Sequence, residues 1–305
     1  MMKVLVKNIL LVSVGLLFLP TVPASAIEKI YGLNVGFYVD NQDPNEGVFV
    51  SQDQIRKRLA IIAPYTYLVR SFSCASGLEE VGPIAREFGL LVAAGAWLST
   101  DAAQNRNELN NLSDVCKRGG ADVAIIGSEV LYRKDFSANQ LIAYINYFRE
   151  ITPNVLVAVA DSYDVLEKNP AVIAASDIIL LNIYPYWEGI SVENAVKRVH
   201  DVFKSFQKDY PGKYFAIGET GWPSAGDTIG AAVPSDYNAA WYFLDITSWS
   251  KIERVVVIQF AAFDELWKAK REGLQGSHWG IWDKDGKLKN WMQYTFDGWM
   301  FPKHW

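Results

Sequence analysis

Histidine and cysteine are scarce in this 305-residue chain, at three and two copies, and each scarcity closes a route. His200, His278 and His304 show no metal-ligand spacing, and no Ser/His/Asp arrangement or glycine-rich phosphate loop stands out. A basic surplus is absent as well. The formal net charge is −5, which argues against nucleic acid as a partner. Beyond residue 26 no segment reads as transmembrane, and no Pro/Ser linker, low-complexity tract or fixed-period repeat divides the chain. A single domain is expected.

The first 26 residues stand apart. Lys3 and Lys7 form a positive start, Ile9 to Leu19 is apolar, and Ala24-Ser25-Ala26 has the small residues of a cleavage site. The apolar run is shorter than the roughly 20 residues that span a bilayer, so residues 1–26 are expected to be a signal peptide cut before Ile27. Residues 27–305 would then be the one folded domain of a secreted, periplasmic or cell-envelope protein, with no stable membrane insertion. Cleavage removes two lysines and no acids, leaving 279 residues and moving the net charge from −5 to −7. Such a charge is compatible with a neutral polymer as substrate. Of the eleven tryptophans, eight lie from Trp241 onward, an enrichment that suits carbohydrate contact as well as core filling.

What remains alternates between apolar runs and helical periodicity. The strands are expected at Tyr31–Val39, Leu68–Ser73, Leu90–Trp97, Val123–Ser128, Leu156–Ala160, Ile178–Ile183, Tyr214–Gly218 and Val255–Ala261. Amphipathic stretches at Gln52–Ile62, Leu78–Phe88, Asn107–Arg118, Ala138–Ile151, Val165–Ala175, Val192–Lys208 and Asp236–Ser250 read as helices, with Ser51 and Ser235 as N-caps and Gly89 and Gly119 as stops. The C-terminal segment is left to complete the outer ring, and Asp264–Trp282 reads as a loop at its centre. Continuous apolar strands indicate a parallel sheet buried on both faces. Eight such βα units point to an α/β fold, a single (β/α)8 TIM barrel. In that fold Cys74, at a strand end, and Cys116, near a helix end, fall at opposite ends, so two separate buried thiols are expected and no disulfide.

Barrel enzymes work at the C-terminal ends of their strands. Reading those ends gives Arg70, Glu129, Asp161, Tyr184, Glu219, and Asp264 with Glu265. Glu219 leaves an apolar strand beside Trp222, which suits either a salt-bridged strand end or a sugar site. Glu129 comes from strand four and would face it across the mouth. Paired carboxylates in an aromatic cleft are the minimum apparatus for glycoside hydrolysis, one as proton donor and one attacking or activating water. Neighbouring carboxylates also push their pKa values apart.

Four segments carry a family resemblance. Gly218-Glu219-Thr220-Gly221-Trp222-Pro223-Ser224 resembles the nucleophile segment of glycoside hydrolase family 17, the β-1,3-glucanases and related transglycosylases. Asn182-Ile183-Tyr184-Pro185-Tyr186-Trp187, Gly127-Ser128-Glu129-Val130-Leu131-Tyr132-Arg133, and Phe263-Asp264-Glu265-Leu266-Trp267-Lys268 with His278-Trp279-Gly280-Ile281 resemble three more of its segments. The resemblance implies Glu219 as nucleophile and Glu129 as general acid/base, with retention of configuration and carboxyls about 5–5.5 Å apart. It implies that Arg70 holds Glu219 ionised, that Tyr184 orients it, and that Glu265 and Lys268 bond sugar hydroxyls or support the acid/base. Trp187, Trp222 and Trp279 are the stacking candidates, and Asp161 and Tyr163 are expected to reach the cleft. No cofactor or metal is implied; the partner would be a β-glucan polysaccharide or oligosaccharide.

Two positions depart from the family. Ser128 stands where Asn is usual before the acid/base, which puts the substrate 2-hydroxyl contact in doubt. Phe72 stands where tyrosine is common. Hydrolysis and transglycosylation share these residues, and a weakly catalytic glucan- or wall-binding protein is the reading from a different class. A barrel acting on β-1,4-glucan or mannan is the rival at substrate level.

Overall fold

The computed structural model describes residues 27–305 apart from Asn41. The expected signal peptide lies outside the described residues. Eight strands, all parallel to their neighbours, close into a barrel in sequence order. They are β1 Ile30–Asn34, β2 Thr66–Arg70, β3 Leu91–Ala96, β4 Val123–Ser128, β5 Leu156–Ser162, β6 Ile178–Asn182, β7 Tyr214–Thr220 and β8 Val257–Gln259. Closure is made by β1, which pairs with β2 on one side and β8 on the other.

Side-chain alternation divides the core into two layers. Ala93, Val123, Ile125, Ala158, Ala160, Leu180 and Ala216 pack inside the barrel, where small residues suit the narrow lumen. Their neighbours Val92, Ala124, Ile126, Val157, Val159, Ile179, Leu181 and Ile217 face outward and join the layer between strands and helices. That double burial is why the strands are apolar throughout.

The helices are α1 Gln52–Ile62, α2 Val81–Glu87, α3 Ala102–Lys117, α4 Ala138–Ile151, α5 Tyr163–Glu167, α6 Pro170–Ala175, α7 Val192–Asp209 and α8 Asp236–Glu253. Ser51 and Ser235 cap α1 and α8 through their side chains, as expected. Gly89 and Gly119 take left-handed φ values of 69° and 74° after α2 and α3. Helix α7 buries Val192, Ala195, Val196, Val199, Val202, Phe203 and Phe206, the three-and-four spacing of a single face.

Several expectations need correction. The stretch expected as one helix over Val165–Ala175 is two, because Pro170 has no N–H and restricts Asn169 before it. Helix α3 begins five residues earlier than expected, where the Asp101 carboxylate accepts from the N–H groups of Ala103 and Gln104. The stretch expected as a helix from Leu78 opens as a 3-10 turn, Leu78–Glu80. β1 ends at Asn34 rather than Val39, and β8 is shorter at both ends. The segment expected as a loop winds through three short turns, Leu266–Lys268, α9 Ala269–Glu272 and Leu274–Ser277. The C-terminal segment supplies only the four-residue α10, Gln293–Phe296, and covers α8 mainly as irregular chain. Both cysteines are free, with Cys74 buried and Cys116 only half-buried, so the second is not the buried thiol expected.

Candidate active site

Strand parity alone would misplace Glu219. In β7 Ala216 faces the lumen and Ile217 the helices, so an uninterrupted strand would turn Glu219 outward. Instead β7 carries one extra residue. Leu181 pairs with Ile217, but the next residue, Asn182, pairs with Glu219; against β8, Ile217 pairs with Val257 and Thr220 with Gln259. The extra residue is Gly218, where a Cβ would sit 2.7 Å from Leu180 Cβ and 2.9 Å from Asn182 Oδ1. This bulge returns Glu219 to the inside. Contrary to the sequence reading, Glu219 is a strand residue, since β7 runs on to Thr220.

β4 uses the same device. Ile125 pairs with Ala158 but Ser128 with Ala160, one residue too many on β4, and Gly127 within the bulge has φ 76°. Ser128 thereby joins the lumen-facing side. Glu129 follows with φ 55°, a left-handed conformation that a non-glycine residue holds only when its surroundings enforce it. They do. Its N–H donates to Ala160 O at 2.9 Å, and the buried Asp161 carboxylate accepts from Leu131 N at 3.0 Å and Tyr132 N at 3.3 Å. Arg133 ties the same loop to the carbonyls of Ser128 and Leu98. Asp161 therefore anchors the Glu129 loop and does not reach into the cleft. Burial pushes its carboxyl up to about 6 against those amide bonds. Tyr163 is likewise engaged elsewhere, accepting from Arg198 at 2.5 Å.

The lumen-facing strand ends make a polar layer above the aliphatic interior. Arg70, 1 % exposed, lies 2.9 Å from Glu219 Oε1 and also donates to Gly218 O and Ser128 Oγ, both at 3.0 Å. Ser128 Oγ donates to Glu219 Oε1 at 3.4 Å, and the Tyr184 hydroxyl donates to Glu219 Oε2 at 2.8 Å. Asn34 Nδ2 donates to Gly218 O and Ile258 O, each at 2.9 Å, which pins the bulge itself. Glu219 is thus held by a cation and two hydroxyls. Glu129 has a different setting. Asn182 Nδ2 donates to its Oε1 at 3.0 Å, and burial, then the Glu219 charge, push its carboxyl up to about 7. One carboxylate is held by a charge partner and the other is poised to carry a proton near neutrality. Burial and the Glu219 charge also push the Tyr184 phenol well up, keeping it a donor.

Glu265 and Lys268 form a buried pair at 2.6 Å rather than a surface bridge. Trp267 Nε1 donates to Glu265 at 3.1 Å, and Lys268 Nζ lies 4.2 Å from the Phe260 ring centroid. Room for the carboxylate comes from Gly36, where a Cβ would sit 1.9 Å from Glu265 Oε1. Of the three tryptophans expected to stack, only Trp187 offers a face, at 41 % exposure. Trp222, at 4 %, packs between Tyr186 and Tyr242 and gives its N–H to Val233 O, so it is wall and not platform. Trp279 is also buried, edge-on to Tyr184 at 5.4 Å.

Asn34 and Asn182 are not among the site residues expected from the sequence; Ser128, where the 2-hydroxyl contact is in doubt, bonds Arg70 and Glu219 instead. Each is a polar residue closing an apolar strand, and that was the available signal.

Residues 34–280 match the BtgE/BtgC glycoside hydrolase domain. A glucan 1,3-beta-glucosidase of Saccharomyces cerevisiae is 30 % identical, the alignment covering 87 % of this chain and 92 % of that protein. The crystal structure of a glycoside hydrolase family 17 beta-1,3-glucanosyltransferase from Rhizomucor miehei superposes with a TM-score of 0.75 at 29 % identity, covering 86 % of this chain and 96 % of the other. An active-site mutant of that transferase, in complex with laminaritriose, superposes equally well. An endo-laminarinase from Formosa shares the fold, with a TM-score of 0.74 at 17 % identity. With the barrel, the four motifs and this coverage in agreement, the chain belongs to glycoside hydrolase family 17 and is a glycosidase of the BtgE/BtgC type.

Proposed function

We propose that this glycosidase acts on β-1,3-glucan by double displacement, with Glu219 as nucleophile and Glu129 as acid/base. The observation that carries the reading is the unequal setting of the two carboxylates. Glu219 is tied to Arg70, whereas Glu129 is pushed up to about 7. In the first step Glu129 gives its proton to the glycosidic oxygen while a Glu219 oxygen bonds to the anomeric carbon. The aglycone leaves as an alcohol. In the second step the ionised Glu129 takes a proton from water, whose oxygen displaces Glu219 and restores the original configuration. The linkage is inferred from the names of the relatives, a glucan 1,3-beta-glucosidase and a transferase in complex with laminaritriose.

A sugar hydroxyl can replace water in the second step, and the glucanosyltransferase relative favours keeping transfer as a second reading. Product analysis on laminari-oligosaccharides separates the two, since products longer than the substrate require transfer. Wild-type turnover by both Glu129→Gln and Glu219→Gln would refute the reading. Azide should rescue Glu129→Ala as the β-glycosyl azide, by intercepting the glycosyl-enzyme, whereas in Glu219→Ala azide can act only in place of the carboxylate, by a single displacement that gives the α-glycosyl azide. Export belongs to the same proposal and rests on the signal-peptide pattern of residues 1–26. An N-terminus other than Ile27 on the mature protein would count against cleavage there.

A further inference from the structure

Lys289 lies nine residues beyond the matched family domain, which ends at residue 280, yet its side chain returns to the site. Its side chain is largely covered, 11 % exposed, and Nζ donates to Asp264 Oδ1 at 2.7 Å, Ser224 Oγ at 2.9 Å and His278 O at 3.4 Å. Three segments meet there. Ser224 ends the turn that follows Glu219, and its own N–H donates to His278 O at 2.9 Å. Asp264 directly precedes Glu265, and its Oδ1 also accepts from Gly280 N at 2.8 Å. Trp279, held between His278 and Gly280, packs edge-on to Tyr184, the donor to Glu219 Oε2.

The contact is tight on every side. A Cβ on Gly221 would sit 2.0 Å from Phe260 O, and one on Gly280 would sit 2.2 Å from Asp264 N. The segments therefore pack backbone against backbone, and the Lys289–Asp264 pair sits where they join. Burying an ammonium is costly. Desolvation lowers the Lys289 pKa and raises that of Asp264, each opposed by its partner's charge.

Resting on the functional reading above, we propose that Lys289 is a positioning residue of the reaction. From the C-terminal segment it locks the turn after Glu219, the strand-eight loop and the Trp279 segment in one register, and so sets the wall against which Tyr184 and the substrate lie.

The test separates positioning from stability. Lys289→Met strands the Asp264 charge and should lower both the unfolding temperature and kcat/KM. The double variant Asp264→Asn/Lys289→Met removes both charges, so its unfolding temperature should return toward wild type. Its kcat/KM on laminari-oligosaccharides should stay at least about tenfold down, as expected for misplacement near 1 Å, mostly through KM. Ser224→Ala provides an arm that leaves the charge pair intact, and should raise KM severalfold at an unchanged unfolding temperature. Wild-type kcat/KM in Ser224→Ala, or recovery of kcat/KM together with stability in the double variant, overturns the proposal. If the wild-type enzyme itself fails to act on these sugars, the functional reading falls instead.

Discussion

Replacing Glu129 by glutamine should stabilise the protein while removing the proposed acid/base, with a pH dependence set by the site. The carboxyl is pushed from its ordinary 4.5 to about 7 by burial and by the Glu219 charge. The native state therefore holds this proton over a range where the unfolded chain has lost it. By linkage, the stability contributed by Glu129 falls as pH rises from about 4.5 to about 7 and is least above that. At 1.36 kcal/mol per pKa unit the full shift corresponds to about 3 kcal/mol. Residual solvent contact and the polar group that glutamine still buries reduce this, leaving about 1–2 kcal/mol gained at pH 7.5. At pH 4, where Glu129 is neutral in both states, the gain should vanish. Urea unfolding of wild type and Glu129→Gln at pH 4, 5.5 and 7.5 measures the difference directly. A glutamine variant equally stable or less stable at pH 7.5, or a gain that does not change with pH, would refute the reasoning.

Asn182→Leu removes the donor that favours ionised Glu129, so the alkaline limb of kcat/KM should move up by about 1–2 units, the worth of a hydrogen bond to a charged group. A limb that stays or moves down contradicts the assignment. Arg70→Met leaves Glu219 buried without its cation and should cost about 3–5 kcal/mol in unfolding experiments, along with most activity. Gly36→Ala drives a Cβ into Glu265 and should lower kcat/KM with a stability loss of about 1–3 kcal/mol; a neutral result would mean that Glu265 moves freely.

The barrel was legible because its strands are buried on both faces and read as unbroken apolar runs, a pattern that survives errors of a few residues at each end. Arg70, Glu129, Tyr184 and Glu219 were legible because charged or phenolic groups at the ends of such runs need partners or functions. What parity could not give is direction. Nothing in Ile217-Gly218-Glu219 says that Gly218 is an inserted residue rather than an alternating one, because its sign is a Cβ clash with β6 that exists only once the strands pair. Trp222 failed for a related reason. An indole beside a cleft carboxylate can line the cleft or back it, and the acceptor that turns it inward, Val233 O, comes from a loop eleven residues on.

Gly218 gives the barrel something like a reading frame. Along a strand, position and face are locked in a repeat of two, so moving a functional group from the wall to the lumen by substitution alone would mean rewriting the whole run. A single inserted glycine shifts the frame for everything downstream and leaves the apolar half upstream untouched. Deleting Gly218 would keep every side chain of the site in the protein and aim Glu219 at the helices, a loss that no inventory of residues would reveal.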